Sequence, residues 1–175
     1  GTAAINYGFE EIGQQDMGKV MPVVLGMMLL FLLISFKRIS ATILPFIVII
    51  AVIVMTLGVS GFVGLQFNNL TSAVTPILIA ITIACTVHLL FTFFSARQAG
   101  YDRKQAAVIS VEKNFLAILL TELTTVIGFV SNGASDVVPL QHMGSLAAIG
   151  TLLAWVMTML ILVPLLSLLP IKVKQ

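Results

Sequence analysis

Thr75–Arg97 reads TPILIAITIACTVHLLFTFFSAR, and this stretch decides the fold. It is long enough to cross a bilayer, for which roughly 20 apolar residues suffice. No charged residue lies between Thr75 and Ser95, yet His88 stands inside it. On a helical projection Ile81, Ala84, Cys85, His88, Thr92 and Ser95 fall on one small, mildly polar face, with Ile77, Leu78, Ile83, Leu90, Phe91 and Phe94 elsewhere. A span that only faced lipid would gain nothing from such a stripe. One that packs against partners or lines a polar path would, and the rest of the chain reads as scaffolding around it.

Composition agrees. The chain has 175 residues, 59% hydrophobic and 9% charged, with a mean hydropathy of +1.12. Soluble domains carry about 25% charged residues, so most of this chain cannot face water. The expected fold class is all-α, a polytopic membrane bundle of five transmembrane helices plus an interfacial amphipathic helix on the cytoplasmic side. The spans are expected at about 20–36, 41–63, 75–95, 115–131 and 142–169. Residues 1–19 are polar, with Ile5, Phe9, Ile12 and Met17 able to face inward from a short amphipathic helix. The opening resembles neither part of a signal peptide, and the chain is expected to be a piece of a longer protein.

Lys37 and Arg38 stop the first span. Pro45 lies near the start of the second, where a missing amide is harmless, and Gly58, Gly61 and Gly64 near its end permit close helix approach or fraying. Pro76 sits in the first turn of the third. In ARQAGYDRKQAAVISVEKN, residues 96–114, apolar side chains recur at helical spacing among charges, as in a helix lying on a membrane surface. A turn-rich SNGASDVVPLQ precedes the last span, which Pro164 should kink or end. Eight of the nine Lys and Arg residues lie in the loops and tail on one side, Lys19 being the ninth. The positive-inside rule places that side in the cytoplasm, with residue 1 outside and residue 175 inside.

His88 and Glu122 are the ionisable groups that need an account. Each lies about 10 Å from the cytoplasmic end of its span by helical rise. An intramembrane His or Glu is costly and calls for a partner. The two could pair if their spans pack face to face. Alternatively, Glu122 reaches toward the cytoplasm while His88 donates to a neighbouring carbonyl. Cys85, the single cysteine, is expected to pack as a small residue. Gly144, Ala148 and Gly150 on the last span and Gly128 on the fourth read as helix-packing positions, with Thr121 and Thr125 bonded to the preceding turn. No Walker loop, nucleophile elbow or metal-spaced His/Glu pair occurs, so an enzyme, a metal, a cofactor and a nucleic-acid partner are not expected.

TPILIAITIACTVHLLFTFF, AGYDRKQAAVISVEKNFLAILLTELTTVIGFVSN and PLQHMGSLAAIGTLLAWVMTMLILVPLLSLLP, in this order, resemble one membrane half of a resistance–nodulation–division (RND) exporter. The similar branch is the MMPL-like lipid exporters, which are related to sterol-sensing-domain proteins. The resemblance covers nearly everything from Val20 onward, and LTTVIGF with MGSLAAIG is its most specific part. It implies spans two to six of a half, with residues 1–19 the tail of an extracytoplasmic domain. It further implies a bacterial inner membrane, export of a hydrophobic or amphiphilic substrate by proton antiport, and a second half or identical partner.

Many relatives carry an acid where Cys85 or Thr86 stands, followed by a histidine that this chain keeps as His88. The candidates for proton coupling are therefore His88, Glu122, Cys85 and Thr86. The alternative is a non-transporting module that binds lipid or sterol, as sterol-sensing domains do.

Overall fold

A computed structural model describes residues 2–36, 39–65 and 69–168. Lys37, Arg38, Lys172 and Lys174, and the inward face expected of Ile5 to Met17, lie outside the described residues and side chains. Every regular element among the described residues is helical: α1 Thr2–Phe36, α2 Ile39–Val63, the single turn α3 Asn69–Ser72, α4 Val74–Gln98 and α5 Arg103–Ser131 come first. A 3-10 turn at Asn132–Ala134 follows, then α6 Val138–Met157, a π turn at Thr158–Leu162, and α7 Val163–Leu168. Four stretches are long and apolar enough to cross a membrane: Ala41–Val63, Val74–Gln98, Arg103–Ala134 and Val138–Leu168. Met21–Phe36 is apolar but shorter. The chain is an integral membrane protein.

α4 lies at the centre, packed on α2, α5 and α6, while α6 also touches α2 and α5. Phe93, Leu89, Leu90, Val48, Val52, Leu162 and Leu166 are wholly enclosed in the main core. A smaller cluster, Leu32, Ile49, Ile79 and Ile83, joins α1 to α2 and α4. The face expected of the central helix divides. Cys85 turns inward, whereas Ala84, His88 and Ser95 are exposed, and α4 is buried chiefly through its large apolar residues. Bulky side chains fill an interhelical space that a small polar stripe cannot, so the stripe sits at the edge of the contact.

The connection from α4 to α5 positions everything that follows. Gly100 adopts φ +95°, a conformation open to glycine at little cost. The amide of Tyr101 donates to the carbonyl of Ala96, and that of Gly100 to Arg97, the pattern of a Schellman cap. Arg97 Nη1 also donates to the Tyr101 carbonyl at 2.6 Å. Asp102 then opens α5 with a capping box: its carboxylate accepts from the Gln105 amide at 2.7 Å, and Gln105 Oε1 accepts from the Asp102 amide. Four residues thus turn the chain back on itself, and α4 and α5 run antiparallel.

One expectation changes here and one open alternative narrows. The separate interfacial helix of residues 96–114 is instead the end of α4 and the first turns of one continuous 29-residue helix, α5. Its cap starts the helix at Arg103 and no proline interrupts it before Ser131, so nothing breaks it at the start of the span. Of the two roles open to the glycines near the end of α2, close approach is not taken up: Gly58 and Gly61 lie within the helix and face open space, and Gly64, just past its end, has φ +74°.

Pro164, expected to kink or end the last span, does not end it: the span runs on to Leu168. A proline has no amide to return to the preceding turn, and the helix widens into a π turn over Thr158–Leu162 just before it. Ala154, Thr158, Leu162 and Leu166 are buried at four-residue intervals. In a uniform α-helix each such step drifts by about 40°, and the wider turn takes up part of that drift.

Candidate functional site

Among the described residues, side-chain hydrogen bonds bridge the antiparallel α4–α5 pair at three places. Nearest the hairpin, Ser110 Oγ donates to the Leu89 carbonyl at 2.7 Å. Next, Asn114 Nδ2 donates to Thr92 Oγ1 at 2.8 Å, and also to the Ser110 carbonyl. Deepest, Cys85 Sγ donates to Glu122 Oε1 at 2.8 Å.

Glu122 is 4% exposed. That number matters because α5 is otherwise peripheral. Only 11% of the most apolar part of Arg103–Ala134 is buried, against 56% of that of Val74–Gln98. A helix with so much open surface nevertheless turns its one intramembrane acid inward. Ala106, Ala107, Ser110 and Ile118 are the other buried residues of α5, and their spacing places Glu122 on the same face as Ile118, one turn further along.

Oε2 of Glu122 is buried with no partner among the described residues. Three further side-chain polar atoms on the last span share that condition: Thr151 Oγ1, Trp155 Nε1 and Thr158 Oγ1. These residues recur at intervals of four and three, which is one helical face. An unsatisfied buried polar group is costly and rare in native structures. Here the group is a carboxylic side chain with one oxygen engaged and one open.

The other candidates fall elsewhere. His88 is exposed on the outside of α4, so the side chain that reaches Glu122 is Cys85 and the His88–Glu122 contact weighed from depth alone is not formed. Depth along two spans fixes height but not rotation, and His88 lies nearly a full turn beyond Cys85. Thr86 is enclosed, and its hydroxyl donates within its own helix to the Ile83 carbonyl at 2.9 Å. Cys85 is buried and free, doing more than filling space.

At the packing positions, a Cβ on Gly144 would lie 2.5 Å from the Phe129 carbonyl oxygen, and one on Gly150 would meet the end of Leu78 at 2.6 Å. Ala148 is buried. Gly128 is exposed, and a methyl added there would meet nothing within 4 Å, because α5 turns that face away from its neighbours. Thr121 and Thr125 donate to carbonyls four residues back, as expected. Among the described residues no group of three or more His, Cys, Asp or Glu could hold a metal ion.

A second feature, which the sequence did not single out, is a half-open groove of about 380 Å³ beside the hairpin. Phe91, Ser95, Tyr101, Ile109, Glu112 and Lys113 are among its walls. Phe115 meets Trp155 edge to face at 5.5 Å a little deeper in the bundle.

An all-helical membrane bundle with a buried acid between antiparallel spans defines the class. The family follows from comparison: the MMPL family matches residues 1–170, and the chain belongs to it, as an RND-like membrane half. A membrane protein of Methanocaldococcus jannaschii is 21% identical over 150 residues, covering 86% of this chain and 39% of the relative. The chain thus spans well under half the length of that relative. No solved structure matches it.

Proposed function

We propose that this chain is a membrane half of an exporter of lipids or other hydrophobic molecules, driven by protons that bind at Glu122. The observation that carries the reading is Glu122 itself, turned inward from a mostly unburied helix with one oxygen bonded to Cys85 and the other open. In this reading Oε2 receives and releases the proton. Cys85 holds Oε1, so that a change of charge on the carboxylate is felt directly by α4. The exposed Ala84 and His88 edge of α4 faces a second membrane half or an identical copy, which relieves the cost of an intramembrane histidine. The hairpin end lies in the cytoplasm, as the distribution of Lys and Arg favours, and the membrane is a bacterial inner membrane.

The test is efflux of a fluorescent lipid from vesicles holding the complete protein, with and without an imposed proton gradient. Glu122→Gln keeps the shape and removes the titrating group. Loss of gradient dependence in this variant, with protein amounts unchanged, supports the reading. Gradient-driven efflux equal to that of the wild type removes the coupling from this half. Absence of efflux from the wild type under any gradient would favour a non-transporting lipid- or sterol-binding module.

A further inference from the structure

The groove beside the hairpin has an unusual set of walls. Glu112 and Lys113 are adjacent on α5, both exposed, and neither takes part in an ion pair or hydrogen bond among the described residues. Side chains on a helix lean toward its N-terminus, which for α5 is the hairpin. The carboxylate and the ammonium are therefore carried over the groove rather than away from it. The hydroxyl-bearing Ser95 and Tyr101 line the same groove, as do Ile109 and Phe91. Phe91 is 72% exposed, so the groove opens onto an apolar flank. Thr92 also lines the groove, and the Asn114–Thr92 and Ser110–Leu89 contacts tie the two helices together alongside.

One cation, one anion, neutral hydroxyl donors and an apolar exit describe the complement of a zwitterionic amphiphile. An anionic headgroup would meet the Glu112 carboxylate, and a purely apolar ligand would strand both charges. A soluble zwitterion would leave the Phe91 flank unused. About 380 Å³ is a volume typical of small-molecule sites, not of a whole lipid. The fit is to a headgroup whose chains leave past Phe91.

We propose that the groove between the end of α4 and the start of α5 binds the headgroup of a zwitterionic membrane phospholipid, with Lys113, Ser95 and Tyr101 on its phosphate and Glu112 on its ammonium. The site is distinct from the Cys85–Glu122 contact and does not depend on proton coupling or on transport.

The experiment uses the complete protein, stripped of lipid in detergent, with dioleoyl phosphatidylethanolamine and dioleoyl phosphatidylglycerol added in turn and bound lipid counted by native mass spectrometry. The wild type should prefer the ethanolamine lipid by about tenfold, the worth of one charge-assisted contact. Glu112→Gln should erase that preference while leaving the glycerol lipid bound as before or more tightly. Lys113→Glu should weaken both. These two side chains are exposed, and thermal unfolding of each variant checks that folding is intact. Equal wild-type affinity for the two lipids, or ethanolamine-lipid binding untouched by both variants, overturns the proposal. So does displacement by millimolar O-phosphoethanolamine as effective as by the lipid itself, since the groove would then hold small zwitterions.

Discussion

The thiol of Cys85 and the carboxyl of Glu122 meet across two helices that the Ala99–Asp102 hairpin already joins by backbone. A contact 37 positions apart in sequence thereby closes a loop whose other end is a four-residue turn. The rotation of α5 against α4 is pinned at both ends, and the Ser110 and Asn114 bridges lie between.

Removing the Cys85 thiol strands Glu122 Oε1 as well as Oε2. Cys85→Ala should destabilise the protein by about 1–3 kcal/mol, the usual cost of orphaning a buried polar group. Cys85→Ser keeps a donor and should cost about 1 kcal/mol or less. Unfolding in detergent micelles measures both, and equal effects of the two substitutions would show that the hydrogen bond contributes nothing.

The same thiol offers a chemical readout. Because Cys85 is enclosed, a maleimide should modify it at least about tenfold more slowly in native protein than after unfolding, since reaction needs an accessible thiolate. Peptide mapping by mass spectrometry follows the site. Rapid native labelling would mean that α4 and α5 part readily at this level.

Glycines on adjacent helices should respond with opposite sign. At Gly144 an added methyl meets a main-chain oxygen that cannot step aside, so Gly144→Ala should cost about 1–3 kcal/mol through overpacking. Gly128 faces open space, and Gly128→Ala in a helix interior should gain roughly 0.5–1 kcal/mol. At Gly150 the obstacle is the flexible end of Leu78. Leu78→Ala should therefore offset part of the Gly150→Ala penalty, a non-additivity that a double-mutant cycle detects.

The start of α5 rests on Asp102. Asp102→Ala removes the carboxylate that accepts from the Gln105 amide and leaves the main-chain donor to Gln105 Oε1 in place, at an expected cost of about 0.5–2 kcal/mol. Hydrogen exchange should accelerate at the amides of residues 103–106 and stay unchanged beyond Ser110. Unaltered exchange in that first turn would assign its order to packing alone.

Much of this architecture is legible in the sequence because its causes are local. Apolar length locates the spans, Pro76 marks a helix start, and Thr121 and Thr125 bond as isolated helical threonines do. The interfacial helix is misread because charge pattern predicts where a helix meets water, not whether it ends there. Depth draws notice to Glu122, but the side chain that meets it is Cys85 rather than His88. Those two differ by less than a turn in height, and only the rotation of α4, set by Leu89, Leu90 and Phe93 finding their cavities, chooses between them. Gly128 and Gly144 are alike in sequence context and opposite in environment for the same reason. Pro164 and the four-residue spacing of Ala154, Thr158, Leu162 and Leu166 are the written signals of the widened turn.

That widened turn also determines where the last span tolerates a change in length. Loss of one residue within Thr158–Leu162 would let the helix relax to ordinary winding and keep its backbone hydrogen-bonded. Loss of one residue between Val138 and Met157 has no such slack to draw on. It would swing Thr158, Leu162 and Leu166 by about 100° out of the core and carry the Gly150 notch away from Leu78. Insertions and deletions in this helix are therefore confined to a single turn.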